Sequence, residues 1–182
     1  FAAGVYALNR EDTVADTARK LFHPLICKLL LHEFDAYRGE DIEGVHDMRV
    51  TARRLRTATH IFTPYLEPNA ARRLAKGFKR MTKAMGPVRE LDVFRAHTEP
   101  KLSDPYENID ALLRALARAW DGAYVPARNH LTHYLESEQH DEFKATLETT
   151  LTSALHSAGA QQPLTNVLPE ILMTRLEAFQ RW

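Results

Sequence analysis

Five basic side chains, His46, Arg49, Arg53, Arg56 and His60, recur at i, i+3, i+7, i+10 and i+14. A helix ordinarily gives that spacing to its buried seam. On a wheel of about 100° per residue they share an arc of roughly 80°. Directly beside it, Met48, Ala52, Leu55, Thr59 and Phe62 occupy a core-facing arc of similar width. The pattern predicts a helix that buries one face and carries a row of cations along its edge. Guanidinium groups match phosphate oxygens with a planar fork of donors, and a protonated imidazole adds a charge-assisted bond. Fourteen residues of helix rise by roughly 20 Å. That length suits an extended anion with repeated charges better than a single phosphate.

A second row lies downstream. Arg72, Lys76, Lys79 and Lys83 line up at i, i+4, i+7 and i+11, while Leu74, Phe78, Met81 and Met85 form the apolar face of the same segment. Arg73 and Arg80 fall between the two. Two antiparallel helices of this kind can wall one groove, with long Lys and Arg stems covering the distance. The formal net charge of the chain is zero, yet residues 44–89 hold eleven Lys/Arg against two Asp/Glu, a local net of +9. The field at a site follows nearby charge rather than the total. The competing reading is a solvated face paired to carboxylates elsewhere, and the flanking segments hold 22 Asp/Glu for that purpose. Exposed pairs contribute little to stability, and rows of like charge at helical spacing destabilise the helix. A bound anion explains the arrangement better.

The elements that must hold these rows read as helices throughout. The chain has only seven glycines and no alternating strand segments, and helical periodicity runs along its length. Helices are predicted over about Thr13–Tyr37, with Pro24 as a point of kinking, and from a cap at Asp41 to Thr63, stopped by Pro64. A third runs from Asn69 to a stop at Gly86-Pro87. Asp104-Pro105-Tyr106-Glu107 reads as the start of a fourth that reaches about Glu136, with a bend at Pro126. A fifth is expected from Glu138 to Ala158, ended by Gly159, and a sixth from about Pro169 to Trp182. Short connections between long helices predict an all-α antiparallel bundle, one domain over residues 1–182. Phe1 is not a methionine, and Trp182 ends inside a helical pattern without a cap. We therefore expect a piece of a longer protein, incomplete at its C-terminus.

Other chemistries find less support. The densest apolar stretch, Leu25–Leu31, is broken by Lys28 and followed by His32, which excludes a transmembrane helix. The N-terminus lacks the basic start of a signal peptide. The single cysteine, Cys27, rules out an intramolecular disulfide, reads as a small core residue and fits a reducing, cytoplasmic setting. Of nine histidines, His130 and His133 are three apart, and His140 and His156 follow. No cysteine pair accompanies them, and Arg49 would repel a cation from the one Glu-x-x-His, Glu43 with His46. Neither a metal site nor a cofactor is expected. A phosphoryl group on His46 would need a nucleotide-binding loop or a magnesium-holding carboxylate cluster nearby, and neither is visible. Binding without catalysis is the expectation. Nonspecific nucleic-acid binding is its first alternative, and histidine phosphotransfer the second. Nothing resembles a helix-turn-helix or zinc module, and stacking aromatics are missing from the basic row.

Residues Glu43 to Arg56 read Glu-Gly-Val-His-Asp-Met-Arg-Val-Thr-Ala-Arg-Arg-Leu-Arg. This resembles the signature of the CHAD (conserved histidine α-helical domain) family, Glu-x-x-His-x-x-Arg-Val-x-x-Arg-Arg-Leu-Arg, at each of its positions. That family continues with a Gly-x-x-Arg-Asp-x-Asp-Val element. Here it is Gly86-Pro87-Val88-Arg89-Glu90-Leu91-Asp92-Val93, with Glu90 in place of the first Asp. The resemblance implies two four-helix bundles, related by a pseudo-twofold axis, around a basic channel that binds inorganic polyphosphate. The chain would supply the first bundle and part of the second, with another His-x-x-Arg helix beyond Trp182. The ligand contacts implied are His46, Arg49, Arg53, Arg54 and Arg56, then Arg72, Lys76, Lys79 and Lys83 of the third helix, and Arg89. His60 extends the row without support from the family. The partners implied are inorganic polyphosphate, other polyanions and a fused or associated phosphate-handling domain, with no membrane. Polyphosphate granules of the cytoplasm are the implied location.

Overall fold

A side-chain oxygen accepts from a backbone N–H at the start of each of the first three helices. The computed structural model describes residues 7–102, 111–153 and 157–180. Helix α1 spans Val14–Arg38; the Thr13 hydroxyl accepts from the Asp16 N–H at 3.1 Å, and the Thr13 N–H donates back to the Asp16 carboxylate at 3.3 Å. It ends on Gly39, whose φ of 67° lies in the left-handed region that favours glycine. Helix α2 spans Glu43–Phe62, and the Asp41 carboxylate accepts from the Glu43 N–H at 2.9 Å. A 3-10 turn over Thr63–Tyr65, carrying Pro64, follows it. Helix α3 spans Pro68–Leu102. Proline at its first position forgoes an N–H that would have no partner there, and Glu67 accepts from the Ala70 N–H at 2.7 Å. The remaining elements are α4 (Ala111–Leu135), α5 (Glu138–Ser153), a 3-10 turn (Ala158–Gln161) and α6 (Leu164–Gln180). No strand occurs among the described residues.

Contacts α1–α2, α2–α3, α3–α5 and α5–α1 close a four-helix ring, and α4 packs along α3. Each core-facing residue anticipated on α2 (Met48, Ala52, Leu55, Thr59, Phe62) and on α3 (Leu74, Phe78, Met81, Met85) is buried. Burying a Leu, Met or Phe of this kind contributes about 1.5–3 kcal/mol. Aromatic pairs tie the ring together: Phe22 of α1 lies 5.8 Å from Phe62, and Phe143 of α5 meets Phe78 edge-on at 5.0 Å. At Gly44 an added Cβ would stand 2.8 Å from the Asp35 carbonyl carbon and 2.9 Å from the Ala36 nitrogen. Backbone cannot yield as a side chain can, so glycine here lets α2 cross close to α1 two residues before His46. Arg128 of α4 donates to the carbonyls of Ala36 at 2.7 Å and Tyr37 at 3.1 Å, satisfying acceptors at the C-terminal end of α1.

Three helix boundaries differ from the sequence expectation, the plainest being Ala158, which opens a 3-10 turn instead of ending the fifth helix. Gly86-Pro87 does not end α3, which runs through it without a break. Proline inside a helix costs about 3 kcal/mol. Met81, Met85, Val88 and Asp92, at i, i+4, i+7 and i+11, are all buried on one face across that point, and their packing outweighs the cost. Helix α6 begins at Leu164, five residues before Pro169, which lies inside it. The start signal at Asp104–Glu107 and the expected fifth-helix residues 154–156 lie outside the described residues, as does Trp182.

One buried ion cluster joins α1 to α5. The Glu33 carboxylate lies 2.8 Å from Nε2 of fully buried His140 and accepts from Lys144 Nζ at 3.1 Å. Burial pushes the Glu33 carboxyl up, but the bonds and charges of His140 and Lys144 outweigh it and leave it below the usual carboxylate range. A depressed folded value means that this stability is present above the unfolded pKa of about 4.3 and is lost as pH falls through the folded one. Glu33→Gln should therefore cost about 1–3 kcal/mol at pH 7. Urea denaturation should show that deficit shrinking below pH 4; a deficit that stays constant would mean that Glu33 is not charged in the fold.

Candidate functional site

Helices α2 and α3 pack side by side, and a groove runs between them. At one end it opens as a cavity of about 330 Å³, walled by His46, Arg49, Val50, Arg53 and Arg56 of α2 and by Thr82 and Arg89 of α3. Arg53 and Arg56 also border the next cavity, of about 470 Å³, with Thr57, Thr59, His60 and Thr63 on one side and Ala71, Ala75 and Phe78 on the other. All five members of the first basic row thus lie along one trough. His60, anticipated only from spacing, is among them. Arg89 reaches the wall because α3 continues past Gly86-Pro87.

The cations of α2 have few partners. Arg49, Arg53 and Arg56 are exposed, and none forms an ion pair among the described residues. The hydroxyl groups of Thr63 and Thr82 donate to the carbonyls of Thr59 at 2.9 Å and Phe78 at 2.8 Å. Their protons are engaged by local backbone carbonyls, so charged donation into the groove comes from Arg and His.

The second row stands elsewhere. Arg72, Lys76, Lys79 and Lys83 are exposed, each one residue beyond the α3 wall positions Ala71, Ala75, Phe78 and Thr82. One residue is about 100° of rotation, which carries the row round to the solvent face of α3. Arg72 there bonds to the Asn69 side chain. Arg54 is also exposed, about 100° round from Arg53, away from the groove. The structure gathers His46, Arg49, Arg53, Arg56 and Arg89 and does not bring the other five candidates into the trough.

Three features escaped the sequence reading. At the first turn of α2, Glu43, His46 and Asp47 bring one ligand atom each to within 4.8 Å of one another; the Glu-x-x-His spacing gives no sign of Asp47. His140, counted among the histidines of interest, is the buried partner of Glu33, while His130 and His133 are exposed and His156 lies outside the described residues. The third is Asp92, one turn after Arg89 and 1% exposed, a buried carboxylate beside the Tyr124 hydroxyl. Burial pushes its carboxyl up, against the charges of Arg89, Arg128 and Arg95 and the Tyr124 hydroxyl.

The folded pKa of Asp92 is thus above its unfolded value. Its ionisation weakens the fold as pH rises from about 3.9 toward the folded pKa. Asp92→Asn keeps the volume and removes the charge. Its stability relative to the parent, read by urea unfolding, should improve between pH 4 and pH 7, and a difference independent of pH would count against this.

Fold and site together define an all-α bundle with a basic groove along its second helix. The CHAD domain family profile matches residues 20–181, nearly the whole chain, and the chain belongs to that family. Polyphosphate binding is a general property of the family, whose domains generally bind rather than catalyse. No curated protein matches the chain. Among the described residues no helix is long and apolar enough to cross a membrane.

Proposed function

We propose that this chain binds inorganic polyphosphate in the α2–α3 groove and performs no chemistry on it. The observation that carries the reading is the row Arg49, Arg53 and Arg56, aligned along one trough without a carboxylate partner among the described residues. Many acids elsewhere in the chain were available to neutralise them, and a fold gains nothing from leaving them bare. A repeating anion supplies the missing charge at every turn of the helix. In this account His46, Arg49, Arg53, Arg56 and Arg89 touch the ligand, and His60 continues the track. Arg54, Arg72, Lys76, Lys79 and Lys83 raise the local potential from outside the groove and speed encounter. Such a ligand places the protein where polyphosphate accumulates, in cytoplasmic granules, beside or fused to another phosphate-handling domain.

The test separates geometry from total charge. Arg53→Ala removes a charge-assisted bond at mid-groove, a loss of about 1.5–3 kcal/mol, or roughly ten- to a hundredfold in affinity. Arg10→Ala removes the same charge from an exposed position far along the chain, and should change affinity less than about threefold. Arg128 is unsuited as a control because it holds the end of α1. Calorimetry at fixed salt, with helicity checked by circular dichroism, reads both. Equal losses would reduce the site to diffuse attraction. With about six charges neutralised, affinity should also fall with salt at a log–log slope near −4, at ~0.7 per phosphate. DNA of equal charge should compete weakly; equal competition would favour the nucleic-acid reading.

A further inference from the structure

The trough does not stop at His60. His60 and Thr63 also border a third cavity of about 380 Å³, completed by Ile61, Pro64 and Tyr65 and by Glu170, Ile171 and Thr174 of α6. Its chemistry changes abruptly. The first two cavities present Arg and His with no acid in their walls, whereas this one sets a carboxylate opposite apolar and aromatic surface. The Tyr65 ring is half-buried, with Gly159 packed close beside it, and Glu170 lies near enough for its charge to act on the Tyr65 hydroxyl. A phosphate chain extended straight along α2 would meet that carboxylate and be repelled.

We propose that the groove and this third cavity form one composite site for a nucleoside oligophosphate, with phosphates against Arg53, Arg56 and His60 and the nucleoside beside Tyr65 and Glu170. The proposal rests on the anion-binding reading of the groove. Three physical points carry it. An ionised carboxylate only accepts hydrogen bonds, so the group facing Glu170 must bring N–H or O–H donors, as the amine of a base or the hydroxyls of a ribose do. A planar base offers apolar faces to Ile61, Tyr65 and Ile171. The volume lies within the range of small-molecule pockets, about 300–1,000 Å³. From Arg53 to His60 the helix rises roughly 10 Å, room for a short run of phosphates leading into the cavity.

The experiment compares ATP with inorganic tripolyphosphate, which has the same number of phosphates and more charge, by calorimetry without divalent cations. ATP should bind at least threefold more tightly despite its smaller charge. Glu170→Gln, at an exposed position on α6, should cut that advantage below twofold while leaving tripolyphosphate affinity unchanged or slightly higher. Arg53→Ala should weaken both ligands. Tripolyphosphate binding as tightly as ATP, or an ATP preference untouched by Glu170→Gln, overturns the proposal. In either case long polyphosphate retaining its dependence on Arg53 leaves the groove reading standing; loss of that dependence as well brings down both.

Discussion

Burial of one face of α2 fixes the rest of the site. Met48, Leu55 and Phe62 must leave water, and α1 and α3 close round them. Once that face is committed, helical geometry leaves Arg49, Arg53, Arg56 and His60 along the seam with α3. Apolar burial thereby supplies the free energy that holds like charges in a row. The close crossing at Gly44 sets the depth of the first turn, so the position of His46 follows from backbone contact between α1 and α2.

The far wall depends on a second constraint, the continuity of α3. Burial of Met85 before Gly86-Pro87, and of Val88 and Asp92 after it, keeps the helix in register. Arg89 then stands opposite the α2 row instead of in a connecting loop. The same burial takes the Asp92 carboxylate out of water, close to Arg89 and to the Tyr124 hydroxyl. Small wall residues, Ala71 and Ala75, keep the trough open where large ones would fill it.

The two faces of α2 were legible in the sequence because each repeats with the period of the helix, and the structure keeps them as two faces. The course of α3 was not. Gly-Pro is a strong local stop, and only burial against the neighbouring helices overrides it. The residues that line the α3 wall were hard to read for a related reason: Arg72, Lys76, Lys79 and Lys83 draw notice by their charge, while Ala71, Ala75 and Thr82, one residue away, carry no chemical signal. Glu33 with His140, and Tyr65 with Glu170, are pairs made by tertiary folding across more than a hundred residues. No periodicity in the chain announces them.

Which cations meet the polymer is a question that arginine side chains can answer individually. Nuclear magnetic resonance of the Nε–Hε groups, followed during titration with medium-length polyphosphate, reports on each guanidinium in turn. The groove account predicts large shifts for Arg49, Arg53, Arg56 and Arg89, saturating together, with Arg72, Arg54 and Arg10 nearly still. Shifts concentrated on Arg72 and Arg54, with Arg53 and Arg56 unmoved, would contradict it.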